Sequence, residues 1–419
     1  MTGLASVEPM KTQLNLMLCA VVLVAPACSV YDSSRIEDGL AGVPDRPPPH
    51  TSSKSDDVEA TFAFRNVSLD QSGDRWRRFG LDLDGMNTSS ISDAAECVAA
   101  DGKPPLDGEK GIDNAFGQFV LPTVVGLLSC LEDNIALNQG GGKGTVLLRL
   151  RGWNGTPNDA QVEVSVLSAV DGTSLDDVSG LQWGGPGGDD LMLPGMTEQA
   201  PDPAWDGEDY FFVDPKSLVA GDPNRPEVRK TDAYITEGRV VLPVDTAATF
   251  VFLTGPGSFS ISLNGYLLAD ISEDGQILEK GLLAGRFPAG ELVATLRPLG
   301  LCNDTFRQSV VGLLTDHLDV RVDPDVGQPD EECGATGVSF TFQGIRAQIA
   351  SQVAPVELPI PDPCAGVGQE TGPEPAFDRC CRSVELDTPQ MLPADCTPEH
   401  LRRFADSPNP IPVPLQEGF

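Results

Sequence analysis

Residues 338–343 read Val338-Ser339-Phe340-Thr341-Phe342-Gln343, a strict alternation of apolar and polar side chains. A strand sends successive side chains to opposite faces, so a period of two predicts one buried face and one open face. The same pattern runs through Val162, Val164 and Val166, set between Gln161, Glu163 and Ser165, and through Phe259, Ile261 and Leu263, set between serines. Phe62 with Phe64, and Val146 with Leu148 and Leu150, add two more strands. Glycine and proline punctuate the intervals, which suits antiparallel turns rather than crossover helices. Helical spacing of three and four marks Phe116 to Leu131 and Phe306 to Leu318, the second entered through Asn303-Asp304 as caps. The expected fold is mainly β: an antiparallel β-sandwich or jelly roll with two or three peripheral helices, stapled by disulfides.

Outside these strands the chain carries the marks of export. Met10-Lys11 is followed by an apolar run from Leu14 to Val24 and then Ala25-Pro26-Ala27-Cys28. A short charged start, an apolar run of about a dozen residues and small residues at its end make a secretory leader. The run is short of the roughly 20 apolar residues that span a bilayer. Val24-Ala25-Pro26-Ala27-Cys28 resembles a lipobox, the cleavage site of bacterial lipoproteins, although Pro26 departs from the usual small or hydroxyl residue. The resemblance implies that Cys28 is acylated and anchors the protein in a membrane, and Ser29 rather than Asp after it implies the outer membrane and cell surface. The competing reading is an ordinary leader cut near Ala27, with Cys28 incidental.

The expected organisation is a leader over 1–27, an anchor and flexible linker over 28–57, a β-sandwich domain over 58–350, a proline-rich linker over 351–363 and a cysteine-containing segment over 364–419. Pro44, Pro47, Pro48, Pro49 and serines 52, 53 and 55 leave the first linker little to bury. Of ten cysteines, setting aside Cys19 and Cys28 leaves eight: Cys97, Cys130, Cys302, Cys333, Cys364, Cys380, Cys381 and Cys396. An even number in an exported chain predicts disulfides. Proximity in sequence favours Cys97 with Cys130 and Cys302 with Cys333. Zinc is the rival reading, but there is no CxxC spacing, and His50, His317 and His400 are scattered.

The formal charge of -34, from 62 acidic and 28 basic residues, repels phosphate and leaves no basic patch, so nucleic acid is excluded as a partner. The most specific polar cluster is Phe79-Gly80-Leu81-Asp82-Leu83-Asp84-Gly85, answered by Asp107-Gly108-Glu109-Lys110-Gly111-Ile112-Asp113-Asn114. Calcium takes six to eight oxygen ligands, and alternating aspartates in glycine-rich loops supply them. The expected ligands are Asp82, Asp84, Asp107, Glu109, Asp113 and Asn114. The loop lacks the spacing and closing Glu of an EF-hand. Asp113 and Asn114 stand before a helix and read equally well as N-caps.

Together with the lipobox and a late Cys-Gly-Ala-Thr-Gly-Val-Ser-Phe-Thr-Phe strand at 333–342, these two loops resemble cysteine-containing lipoproteins of myxobacteria and their relatives, over roughly residues 58–350. That resemblance implies location rather than activity.

Trp183, Trp205 and Tyr210 lie in glycine-, proline- and aspartate-rich surroundings that suit exposed loops, where aromatic rings stack on sugars. Core packing is the alternative for each. Gly140-Gly141-Gly142-Lys143-Gly144-Thr145 precedes a strand rather than a helix and reads as a turn, not a phosphate loop. Asp189-Asp190 and Asp206 with Glu208 are candidate carboxylate pairs for glycoside hydrolysis. The reading is therefore an exported, membrane-anchored, non-catalytic lipoprotein that binds a glycan or protein partner with calcium as its only expected cofactor. A secreted polysaccharide hydrolase and a purely structural envelope protein are the alternatives.

Overall fold

In a computed structural model the described residues are 42–49, 57–69, 71, 74–127, 131–174, 182–183, 191–192, 201–254, 257–355, 357–360 and 362–364. The strands in chain order are β1 (Val58–Ser68), β2 (Val146–Trp153), β3 (Asp159–Thr173), β4 (Gln182–Trp183), β5 (Leu191–Met192), β6 (Tyr210–Val213), β7 (Val228–Thr236), β8 (Arg239–Val244), β9 (Thr249–Leu253), β10 (Ser258–Ser262), β11 (Asn264–Ile271), β12 (Ile277–Pro288) and β13 (Ala335–Ile349). The helices are a π-turn over Phe116–Val120, α1 (Leu121–Leu127), α2 (Leu131–Gly140), α3 (Ala289–Thr295) and α4 (Asp304–Thr315).

The fold is mainly β and antiparallel, as the alternation predicts, with few helices and buried disulfides. The principal sheet, however, closes on itself instead of pairing with a second sheet. Strands β1, β2, β3, β7, β8, β11, β12 and β13 each pair antiparallel with the next, and β13 returns to β1, with Phe62 opposite Arg346 and Ala63 opposite Ile345. Strand order follows chain order, so the barrel is an up-and-down meander without sheet edges to protect.

Alternation sorts the side chains accordingly. Phe62, Phe64, Leu148, Val164, Leu242, Leu267, Leu283, Phe340 and Phe342 share one buried interior cluster. An eight-stranded barrel has an interior about wide enough for such side chains to fill. The outward positions are largely covered as well. Ala63, Leu147, Leu167 and Ala169 pack against Trp205, Phe211 and Val213, where β6 links β3 to β13 across the outside of β1 and β2. Val241, Leu268, Leu282 and Ala284 pack against Phe79 and Leu81.

Antiparallel neighbours put connections alternately at the two ends. At one end they are the short hairpins 154–158, 237–238 and 272–276. At the other, among the described residues, lie the longer ones, with the α-helices and the β9–β10 hairpin. These stopper the barrel: Phe116, Val120, Val124, Ile135, Phe259, Val310 and Leu314 join the interior cluster, and Phe116 meets Phe340 edge-on at 5.5 Å.

Two disulfides are resolved, Cys97–Cys333 and Cys302–Cys364. They correct the expected Cys97–Cys130 and Cys302–Cys333 pairs. The reason is topological: the loop carrying Cys97 is drawn to the start of β13, where Val98 N–H donates to Glu331 O at 2.9 Å and Cys333 N–H to Val98 O at 2.8 Å. Cys130, Cys380, Cys381 and Cys396 lie outside the described residues, as do Cys28, the leader and the segment beyond 364.

Both stretches expected as linkers touch the barrel where they are described. Arg46 donates to Ala160 O and Asp232 O and stacks over Tyr234, whose hydroxyl donates to Pro44 O. Further on, Ala354 N–H donates to Val213 O and Leu358 N–H to the Asp214 carboxylate.

Candidate functional site

Three motifs remote in sequence meet at the stoppered end, on the outer face of β12 and β13. The 79–85 turn arrives because Phe79 and Leu81 are apolar and cover the outward side chains of β8, β11 and β12. The 107–114 loop is strapped in both directions to Thr88, just beyond that turn: Asp107 N–H donates to Thr88 O at 3.0 Å, and the Asp107 carboxylate accepts from Thr88 N–H at 2.5 Å. The third motif supplies Gly337 of β13. A methyl group there would lie 2.5 Å from Asp113 O, so only glycine lets the loop approach this closely.

Asp82, Asp84 and Asp113 each bring one carboxylate oxygen to within 4.8 Å of the others. Asp82 accepts from Gly85 N–H at 2.7 Å, and Asp84 from Met86 N–H at 2.8 Å, turns in which an aspartate folds its own backbone around it. Asp113 is only 2 % exposed. Its Oδ2 accepts from Leu83 N–H at 2.6 Å, whereas Oδ1 is buried and has no hydrogen-bond partner among the described residues. Asp319 stands behind, accepting from Gly337 N–H at 2.6 Å and Ala115 N–H at 3.0 Å.

The neighbouring basic group is already engaged. Arg286, pointing outward from β12, makes a buried bidentate pair with Glu96 and also donates to Leu83 O and Arg321 O. Five aspartates, Asp82, Asp84, Asp107, Asp113 and Asp319, therefore share one low-dielectric region. Burial pushes the Asp107 carboxyl up to about 7, and the charges of Asp84, Asp319 and Asp82 add to that. Asp113 lies well above the ordinary carboxylate range, first through burial and then through Asp319, Asp84 and Asp107. Burial raises Asp319 to about 6 against its two N–H donors, and raises Asp82 and Asp84 as well. A carboxylate in such a place takes a proton or a cation.

Not every expected ligand belongs to this group. Asp107 borders it but is bound to Thr88 N–H. Glu109 is exposed on the Glu109–Gly111 turn, outside the converging oxygens. Asn114 is spent on capping: its amide donates to Phe79 O and Gln71 Oε1, and its Oδ1 accepts from Gly117 N–H at 3.0 Å. Asp319 and Arg286 carry no local motif and could be found only once β12 and β13 were paired.

The aromatic candidates do not form a face. Trp205 is 3 % exposed, packs on Phe211, lies under the Arg65 guanidinium and donates its indole N–H to Gly140 O. That places it in the wall's outer core rather than on a sugar-binding loop. Tyr210 is half-buried beside Phe212 and Ala350. Trp183 lies in β4, paired with Leu191; its side chain is outside what is described.

Of the carboxylate pairs, Asp206 and Glu208 share an exposed turn, with Glu208 N–H donating to Asp206, and Asp189-Asp190 lie outside the described residues. His317 stacks on Phe119 at 4.0 Å. The 140–145 glycine run closes α2 and leads into β2, a turn as expected. Among the described residues no helix is long and apolar enough to cross a membrane. Comparison with protein-family models, with curated proteins and with solved structures finds no match to this chain.

Proposed function

We propose that this chain is an exported, lipid-anchored, non-catalytic envelope lipoprotein whose disulfide-stapled barrel binds a partner at the cell surface. The observation that carries this reading is the pair of buried disulfides joining remote segments, Cys97 to Cys333 across 236 residues and Cys302 to Cys364 across 62. Such bonds persist in an oxidising compartment and are rare in a reducing cytosol. They agree with the leader and with Cys28 at its end.

Partner binding belongs to the end that carries the long connections, the usual home of function on a rigid scaffold. There Phe119 and Leu313 are exposed, and His317, in the turn just past the end of α4, stacks on Phe119. With Trp205 in the core, a protein partner is favoured over a sugar.

Intact-mass and peptide analysis of protein taken from membranes tests this. The expected result is a mature chain beginning at an acylated Cys28 with both disulfides formed, and Cys28→Ala protein released from the membrane fraction. A retained leader with free thiols throughout would overturn it.

A further inference from the structure

We propose that Asp82, Asp84 and Asp113 bind one hard divalent cation of the calcium class, which pins the 79–86 turn to the loop that enters the barrel's stopper.

Two oxygens bound to one calcium ion at about 2.4 Å lie no more than about 5 Å apart. The three carboxylates already satisfy this, within 4.8 Å, without any rearrangement of the backbone. Clusters of acidic residues are common on proteins, and convergence alone says little. The second observation is Asp113 Oδ1, an oxygen of a side chain 2 % exposed that accepts no hydrogen bond among the described residues. An orphaned buried oxygen is costly and rare in folded proteins. It belongs to the carboxylate that converges with those of Asp82 and Asp84, where a cation would satisfy it.

Charge leads to the same conclusion. Asp107 and Asp319 add to the negative field, and Arg286 is held by Glu96. The donors are all oxygen, with no His or Cys, which selects a hard cation over zinc. Three carboxylates on glycine-rich turns suit the adaptable shell of calcium better than magnesium, which keeps its waters and usually takes one or two carboxylates. The position gives the ion a mechanical role. Asp113 precedes the Phe116–Val120 turn, and Phe116 reaches Phe340 inside the barrel.

Calcium chloride titrated into the metal-stripped full chain, by calorimetry and thermal melting, provides the test. The expected result is one saturable site and a melting temperature raised by about 5 °C or more at saturation, with magnesium weaker. Asp84→Asn should weaken binding about tenfold or more, while Asp101→Asn, on an exposed ion pair, should bind as the parent does. Asp113→Asn should raise the melting temperature of the metal-free chain and remove its response to calcium, an inversion that a merely structural Asp113 would not produce. No heat and no shift with millimolar calcium, or an undiminished response in both Asp84→Asn and Asp113→Asn, would overturn the proposal. The titration reads the purified chain, so its outcome is independent of where the protein resides.

Discussion

Gly111 shows how narrow the tolerances are at single positions. Its φ is +83°, and a methyl group there would lie 2.1 Å from Met86 O and 3.2 Å from the Asp82 carboxylate. Gly111→Ala is expected to cost about 2 kcal/mol or more in urea unfolding, because left-handed backbone and a backbone clash act together. Arg286 poses a different problem. Arg286→Met leaves Glu96 buried without its bidentate partner and two carbonyls without donors, an expected loss of about 3–5 kcal/mol. The double variant Arg286→Met, Glu96→Leu should recover part of it. If the single variant unfolds at the parent's urea midpoint, the pair is dispensable. Trp205→Phe removes one buried N–H donor to Gly140 O and should cost about 1 kcal/mol.

At the scale of elements, the two disulfides should fail differently. Cys97–Cys333 joins the loop bearing the acidic cluster to the start of β13, the strand that closes the barrel. Replacing both cysteines by alanine is expected to lower global stability by about 2–5 kcal/mol. Cys302–Cys364 instead ties the strap over β6 to the connection between α3 and α4. Its removal should raise hydrogen exchange across 350–364 and leave barrel amides protected, since local openings follow local contacts. Uniform loss of protection in both variants would contradict this division. Exposed Phe119 and Leu313 give the partner reading its own test: Phe119→Asp with Leu313→Asp should abolish partner capture while the melting temperature stays within about 2 °C.

For the whole molecule the raised carboxyls set a pH dependence. Asp209, 1 % exposed at the entry to β6, is pushed by burial to about 6 although Ala204 and Trp205 N–H groups donate to it. Asp107, Asp113 and Asp319 are raised in the same direction in the metal-free chain. A carboxyl raised by folding holds its proton longer in the native state than in the unfolded one. Stability is then greatest below the ordinary carboxylate pKa and is lost as pH rises through about 4 to 7, at up to about 1.4 kcal/mol per pH unit for each proton. Asp101 and Asp245 are lowered by lysine partners and act oppositely, but they sit on exposed pairs that solvent screens. In EDTA the melting temperature should therefore fall between pH 4.5 and 7.5, and Asp209→Asn should flatten part of that fall. A rise over this range would refute the assignment. Calcium should offset the decline at neutral pH.

Alternation along the chain is enough to tell which residues face inward. Val338, Phe340 and Phe342 on β13, and Val162, Val164 and Val166 on β3, alternate as expected and point into one core, because a strand's period of two is a property of the local backbone. Helix α4 and the cap at Asn114 were legible for the same local reason. Loop composition marked Asp82, Asp84 and Asp113 as candidate ligands, but the meeting of their two loops is not a local property. Closure of the sheet as a barrel, the meeting of Cys97 with Cys333, the interior place of Trp205, and the position of Arg286 and Asp319 beside the cluster emerge only from the folded chain. Each depends on which distant segments pair, and alternation is silent about partners: a strand in a sandwich and a strand in a barrel present the same pattern of inward and outward side chains.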